Sequence, residues 1–326
     1  MLRRDFIKNL SIAGAAVAVP LPALSLPGTK YGVMIDFFRL YAVSETFFDK
    51  PVLYKNHEKA LQDLKAGKID CLITSPFFLV KSHPEFSLFS HFPTDLSHEQ
   101  KSNWVKQNYT VVKSHYSKLE LDSHFVDLMP SLFVRATTLS PEKLAASRPH
   151  ELKIAANGNR KHWYKQVGYQ VVGNRLIDRQ GYQIEMLSRG TLSVTEASTP
   201  LLLLESISEN NKNLVPLSFY KKTHLIMDKD SRRGLPMEFV MRPGATEAKI
   251  QSMKNQLQGF IAKQAEAQQN SLNLLKNIFN ETIIEGLPQA DIRQLESCKN
   301  LYLETLAELN DTSSVLVDDY RRFSKA

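Results

Sequence analysis

The sequence predicts an α/β protein of two lobes, with one long helix running across both. Strand, helix and strand alternate over residues 31–74, and the same alternation returns over residues 151–195. A single helical pattern then holds from Thr246 to about Phe279, longer than an ordinary globular helix. With 326 residues, 43% of them hydrophobic, the chain has material for two cores of ordinary size.

Residues 1–25 read as an export signal. MLRRDFIK sets two arginines and a lysine ahead of the weakly apolar run Ser11–Val19, and small residues at Ala23 and Ser25 follow as a cleavage site. The RRxFxK pattern matches twin-arginine leaders, which implies the twin-arginine translocase as a partner and the periplasm as destination. A basic amphipathic first helix is the other reading. No later segment has the ~18 uninterrupted apolar residues of a membrane span, so the mature chain is expected to be soluble.

Lobe I takes residues 26–128. Strands are expected at Tyr31–Phe38 and Val52–Tyr54, with a helix at His57–Ala66 turning at Gly67 into GKIDCLITSPFF. Pro76 has no N–H for a sheet ladder, so the strand stops there and leaves Phe77 and Phe78 at its carboxyl edge, where open α/β sheets take ligands. Adjacent residues face opposite sides of a strand, so one aromatic is expected in a pocket wall and one in the core; two core aromatics is the plainer alternative. Ser97-His-Glu-Gln100 has capping-box spacing, and Ser140-Pro141-Glu142 places a cap before a first-turn proline.

Lobe II takes residues 129–245. Strands are expected at Glu151–Ala156, Tyr169–Val172 and Thr191–Thr195, and helices at Asn159–Val167 and Gly181–Ser188. Residues 246–280 form the spanning helix, on a stripe of Ile250, Met253, Leu257, Phe260, Leu272, Leu275 and Phe279. Residues 281–326 add closing helices, one from near Pro288 and one over Val315–Phe323.

Net charge is +7, about +5 once the leader is removed, and the basic residues are scattered; no clustered face or reading motif points to nucleic acid. The two cysteines, Cys71 in a strand and Cys298 on a helical apolar stripe, read as small hydrophobes, bridged only if their segments meet. The nine histidines show no metal-binding spacing, and no nucleophile elbow, phosphate loop or dinucleotide fingerprint asks for an enzyme.

The stretch KAGKIDCLITSPFFLVKSHPEFSLFSHFPTDLSHEQKSNWV resembles the solute receptors of tripartite ATP-independent periplasmic (TRAP) transporters, in particular their α-keto acid and organic acid branch. The matching positions are Gly67, Asp70, Ser75, Phe77, Phe78, Pro93 and Trp104. SPEKLAASRPHELKIAANG, YQIEMLSRGTLSVTEASTP, EGLPQADIRQLE and DDYRRF follow in the family's order, so the resemblance runs from about Ala60 to Phe323. It implies a type II-like two-lobed periplasmic binding fold that closes by a hinge on a small solute and hands it to TRAP permease subunits. A degenerate paralogue, acting as a periplasmic interaction or sensory protein without transport, is the alternative.

The chain departs from that pattern where the resemblance puts its carboxylate clamp. Ala155 stands in place of the expected arginine, Ala197 in place of a tryptophan, and Pro130-Ser-Leu-Phe-Val-Arg135 in place of Gly-Gly-Trp-Phe. The opening of lobe I is also short. Candidate ligand contacts are Ser75, Phe77 and Phe78; Arg135 and Arg160 as replacement anion holders or else solvated charges; and Asn157, opening either an anion-cradling turn or a plain one. Glu196 is a ligand or cation holder by resemblance, or a surface glutamate. Tyr220 and His224 align loosely with a ligand-approaching segment, with Tyr220 otherwise a core residue. No cofactor is expected beyond that one bound cation.

Overall fold

The computed structural model describes residues 29–34, 48, 51–80, 82–89, 96–155, 164–165, 167–172, 182–199, 202–203, 206, 215–227, 232–280, 282–285 and 292–324. The leader, Asn157, Arg160 and the side chain of Cys298 lie outside the described residues. The chain divides into two compact units. Within the described residues, the first comprises those up to Pro130 with Gly234–Glu266 and Leu303 onward; the second comprises Ser131–Arg233 and Ala267–Tyr302.

The first unit is built on strands β1 (Tyr31–Met34), β2 (Val52–Tyr54) and β3 (Cys71–Thr74), with helix α1 (His57–Lys65) between the last two. β1 pairs in parallel with both β2 and β3. Gly32 permits this close approach: a Cβ there would lie 2.5 Å from Ile69 and 2.9 Å from Tyr54. The GKID turn is likewise explained by its geometry. Gly67 sits at φ 73°, in the left-handed region that glycine enters without strain. Arg242 Nη1 donates to the Leu64 and Ile69 carbonyls at 2.8 and 3.0 Å, and Nη2 to Asp70 Oδ1 at 3.2 Å.

Helix α2 (His98–Lys118) starts from the expected capping box: Ser97 Oγ accepts from Gln100 N, and Gln100 Oε1 accepts from Ser97 N. It buries Trp104, Val105, Tyr109, Val112 and Tyr116 at spacings of one to four, and Trp104 packs on Phe89 and Tyr320.

Two long strands were not legible in the sequence. β4 (Asp122–Thr137) and β9 (Arg232–Met241) each contain a proline, and each begins in one unit and ends in the other. In the first unit the strand order is β2-β1-β3-β9-β4, with β9 antiparallel to β3.

The second unit adds α3 (Pro141–Ala146), β5 (Lys153–Ala155), β6 (Gln170–Val171), α4 (Tyr182–Ser188), β7 (Val194–Ser198), α5 (Leu217–Lys221) and β8 (His224–Met227). β7 lies antiparallel to β4 and parallel to β5. It starts at Val194 rather than at Thr191, because Gly190 turns at φ 70° and the Thr191 and Leu192 amides still bond back to Met186.

Helix α6 (Glu247–Ile278) has every stripe residue buried. Between the two apolar halves of that stripe the helix buries Gln264 and Gln268, on either side of the division between the units. β10 (Ile283–Glu285) pairs with β8, and α7 (Ile292–Ala307) and α8 (Asp311–Phe323) close the chain. The last helix begins four residues earlier than its apolar pattern, capped by Asn310, whose side chain accepts from Ser313 N at 2.9 Å. Among the described residues no helix is long and apolar enough to cross a membrane.

Candidate functional site

In the first unit the end of β3 carries the aromatic pair. Ser75, fully buried, takes an extended backbone and caps a short 3-10 turn over Pro76–Leu79, its Oγ accepting from Phe77 N at 3.2 Å. Ser75 therefore serves the turn that presents the aromatics. Phe77 and Phe78 are both partly buried and meet edge to face, ring centroids 5.3 Å apart. Phe78 stacks on His57 at the start of α1, centroids 6.1 Å apart and planes 17° from parallel.

From His57 a polar path runs inward. His57 Nε2 lies 3.4 Å from Tyr116 Oη, which donates to Glu238 Oε1 at 2.8 Å; Tyr109 Oη donates to Glu238 Oε2 at 2.7 Å. The two tyrosines are seven residues apart on α2 and so share one face of it. Glu238, on β9 opposite Thr74, is wholly buried. Burial pushes its carboxyl up to about 7, against the opposing pull of the two tyrosine hydrogen bonds. Burial, and then the nearby carboxylate, hold both tyrosines well above their ordinary value. His57 is pushed down to about 4 by burial and then by His115.

In the second unit, Arg135, Tyr164 and Glu196 form a buried triad. Arg135 Nε donates to Tyr164 Oη at 2.8 Å and to Glu196 Oε2 at 3.2 Å, and Tyr164 Oη donates to the same carboxylate oxygen at 2.7 Å. Arg135 is 3% exposed and Glu196 6%, so neither is a solvated surface charge. The register dictates the pairing, since Arg135 of β4 stands directly across from Glu196 of β7.

The same register places Arg135 and Ala155 on opposite faces of the sheet. Ala155 pairs with Thr195, one residue from Glu196, and Thr195 pairs with Ala136. Ala155, Ala136 and Ala197 belong to an apolar core with Ile184, Leu187 and Leu275, whereas Tyr164 packs on the other face with Ile154, Val194 and Ile226. Arg135 is therefore no positional substitute for an arginine at 155. A cation at Glu196 would meet the Arg135 guanidinium, so this donor set does not suit a metal ion. Among the described residues no group of three acidic, histidine or cysteine side chains is placed to hold one.

Tyr220 lies in the second unit's core, 2% exposed, its ring against Phe279 at 5.4 Å. His224 opens β8 across from Thr137, with a buried Nδ1 that has no hydrogen-bond partner. Cys71 is a buried free thiol, its pKa raised by burial.

No family model and no curated protein matches the chain. Solved structures do. A TRAP periplasmic solute-binding protein from Colwellia psychrerythraea, with bound calcium and pyruvate, superposes with a TM-score of 0.60 at 12% identity, covering 91% of this chain and 94% of its own. A TRAP solute-binding protein from Bordetella bronchiseptica RB50, with calcium and picolinate, gives 0.58 at 10% identity, covering 91% of each chain. One from Chromohalobacter salexigens, with bound D-glucuronate, gives 0.55 at 12% identity over 89% of this chain and 100% of its own. The chain thus has the α/β fold of the TRAP transporter solute-binding proteins, as the sequence predicted.

Proposed function

We propose that the chain is an exported periplasmic receptor, not an enzyme, that captures a small solute and delivers it to a TRAP-type membrane permease. The observation that carries this reading is a fold shared with TRAP solute-binding proteins over about nine-tenths of this chain. The Phe77–Phe78 end of β3 is the first unit's proposed ligand contact, and Asn157 and Arg160 after β5 are the second unit's.

The neighbours' ligands, picolinate, pyruvate and D-glucuronate, are all carboxylates. Ala155 and Ala197 offer no such group a charge, and Arg135 is already ion-paired to Glu196. The proposed ligand is therefore either a carboxylate held by Arg160 or a less charged solute.

A thermal-shift panel on the mature chain tests this. Pyruvate, glucuronate and uncharged solutes are each offered in excess; a ligand at a hundred times its Kd stabilises by about 2.7 kcal/mol. A raised Tm with one solute supports the receptor. A folded chain that no solute shifts overturns it and favours a paralogue without transport, a reading the two alanines already favour. Export is tested separately. Replacing Arg3 and Arg4 with lysine should leave the precursor in the cytoplasm, and unchanged periplasmic yield would remove the twin-arginine route.

A further inference from the structure

Glu238 is used neither by the fold as a surface charge nor by the proposed ligand contacts. It is fully buried, and among the described residues its carboxyl is acted on by burial and by the hydroxyls of Tyr109 and Tyr116, with no cation beside them. A buried carboxylate without a cation is costly, and it relieves that cost by taking up a proton. Across the strand pair, Thr74 Oγ1 is also fully buried and has no hydrogen-bond partner. The cluster thus holds more hydrogen-bonding capacity than a single protonation state uses.

We propose that Glu238 is a proton-binding positioning residue whose gain or loss of a proton is transmitted through Tyr116 and His57 to Phe78, the aromatic end of β3. As a carboxylate, Glu238 accepts from both tyrosines, as the distances of 2.7 and 2.8 Å describe. Protonated on the oxygen facing Tyr116, it becomes a donor there. The Tyr116 hydroxyl must then accept, and its own hydrogen turns to the other polar atom within reach, His57 Nε2 at 3.4 Å. His57 is neutral near pH 7 and has a ring nitrogen to receive it. Its ring stacks on Phe78, so a change in the hydrogen bond at Nε2 acts on the orientation of that stacked pair. On deprotonation the proton leaves to solvent and the bond returns to the carboxylate.

Among the described residues, the ionisable groups facing Glu238 are Tyr109 and Tyr116 from α2 and, one contact further, His57 from α1; β3 supplies Thr74, which does not titrate, and β4, the other neighbour of β9, carries His124, stacked on Phe239 and lowered first by burial. Burial holds the tyrosines far above neutrality, and His57 titrates near 4. His115, which acts on His57, is itself lowered by burial and then by His83.

The folded carboxyl lies near 7 against an ordinary 4.5, so the stabilisation from protonation is complete below 4.5 and is lost as pH rises through 7.

The test is an NMR titration of the folded full chain, following the His57 ring signal (identified by its loss in His57→Gln) and the glutamate side-chain carboxyl carbons. The expected result is one glutamate with an inflection near 7 and the same inflection in His57, absent in Glu238→Gln and abolished in Tyr116→Phe while the glutamate's own inflection persists. A His57 signal flat through neutrality, or an inflection that survives Glu238→Gln, overturns the relay. If every glutamate of the wild type titrates near its ordinary value, the proton-binding role itself falls, and that measurement needs no variant. In thermal melts, Glu238→Gln should match the wild type near pH 5 and exceed its Tm by roughly 5 °C above pH 8. A gap that does not change with pH would mark a merely structural side chain. None of these readouts requires a ligand, so they stand apart from the receptor reading.

Discussion

Glu196 and Glu238 occupy the same kind of place. Each sits buried on a strand paired on both sides and accepts a hydrogen bond from a tyrosine outside the sheet. They differ in what stands across the strand pair: Arg135 for Glu196, and Thr74, an uncharged hydroxyl, for Glu238. The cross-strand residue decides the chemistry. A guanidinium neutralises the first carboxylate within the fold and makes it a structural tie. Among the described residues the second has hydroxyl donors and no cation, so its charge is left to solvent protons. Removing or adding single partners should move one site toward the behaviour of the other.

The largest effect is expected from Arg135→Met, which leaves Glu196 buried without its cation. Breaking a buried pair from one side costs about 3–5 kcal/mol, read as loss of denaturation midpoint. A loss under 1 kcal/mol would mean that solvent or another cation already compensates Glu196. The double variant Arg135→Met with Glu196→Gln should recover much of that loss, because the stranded charge is then gone.

Next comes Tyr109→Phe. It deletes one donor to Glu238 and should cost about 1.5–3 kcal/mol at high pH, where the acceptor is charged, and less at low pH, where it is neutral. Equal costs at the two pH values would contradict the difference drawn between the two glutamates. Tyr164→Phe should cost about 1 kcal/mol, since Arg135 still holds Glu196. The smallest effect is expected from Ser97→Ala, which removes one half of the α2 capping box for about 1 kcal/mol or less, unchanged with pH, and serves as the reference for a purely structural hydrogen bond.

Features legible in the sequence were those written in local spacing. Helix α6 was expected from Thr246 to about Phe279 and spans Glu247–Ile278, because a stripe at three and four residues needs no knowledge of what covers it. The Ser97 and Ser140 caps and the stop of β3 before Pro76 followed from single side chains acting on their own backbone. β4 and β9 stayed hidden because Pro130 and Pro236 argue against a paired strand, and because each strand changes surroundings where it passes from one unit to the next. Glu238 stayed hidden for a related reason. An acidic residue reads as solvent-facing, and only the unbroken burial of Leu235 to Met241 on both faces forces it inside. The one available hint was Tyr109 and Tyr116 on a common helical face, each large, apolar in body and needing a partner for its hydroxyl.

The amino-acid sequence alone determined the alternation of elements, the reach of the long helix, the turn at Gly67 and the aromatic end of β3, since each rests on interactions within a few residues. The tertiary structure alone decided that Arg135 meets Glu196, that Ala155 faces away from both, and that Glu238 has a hydroxyl where Glu196 has a cation. Those outcomes depend on strand register between segments far apart in the chain, and a shift of one residue would have turned every one of these side chains to the other face.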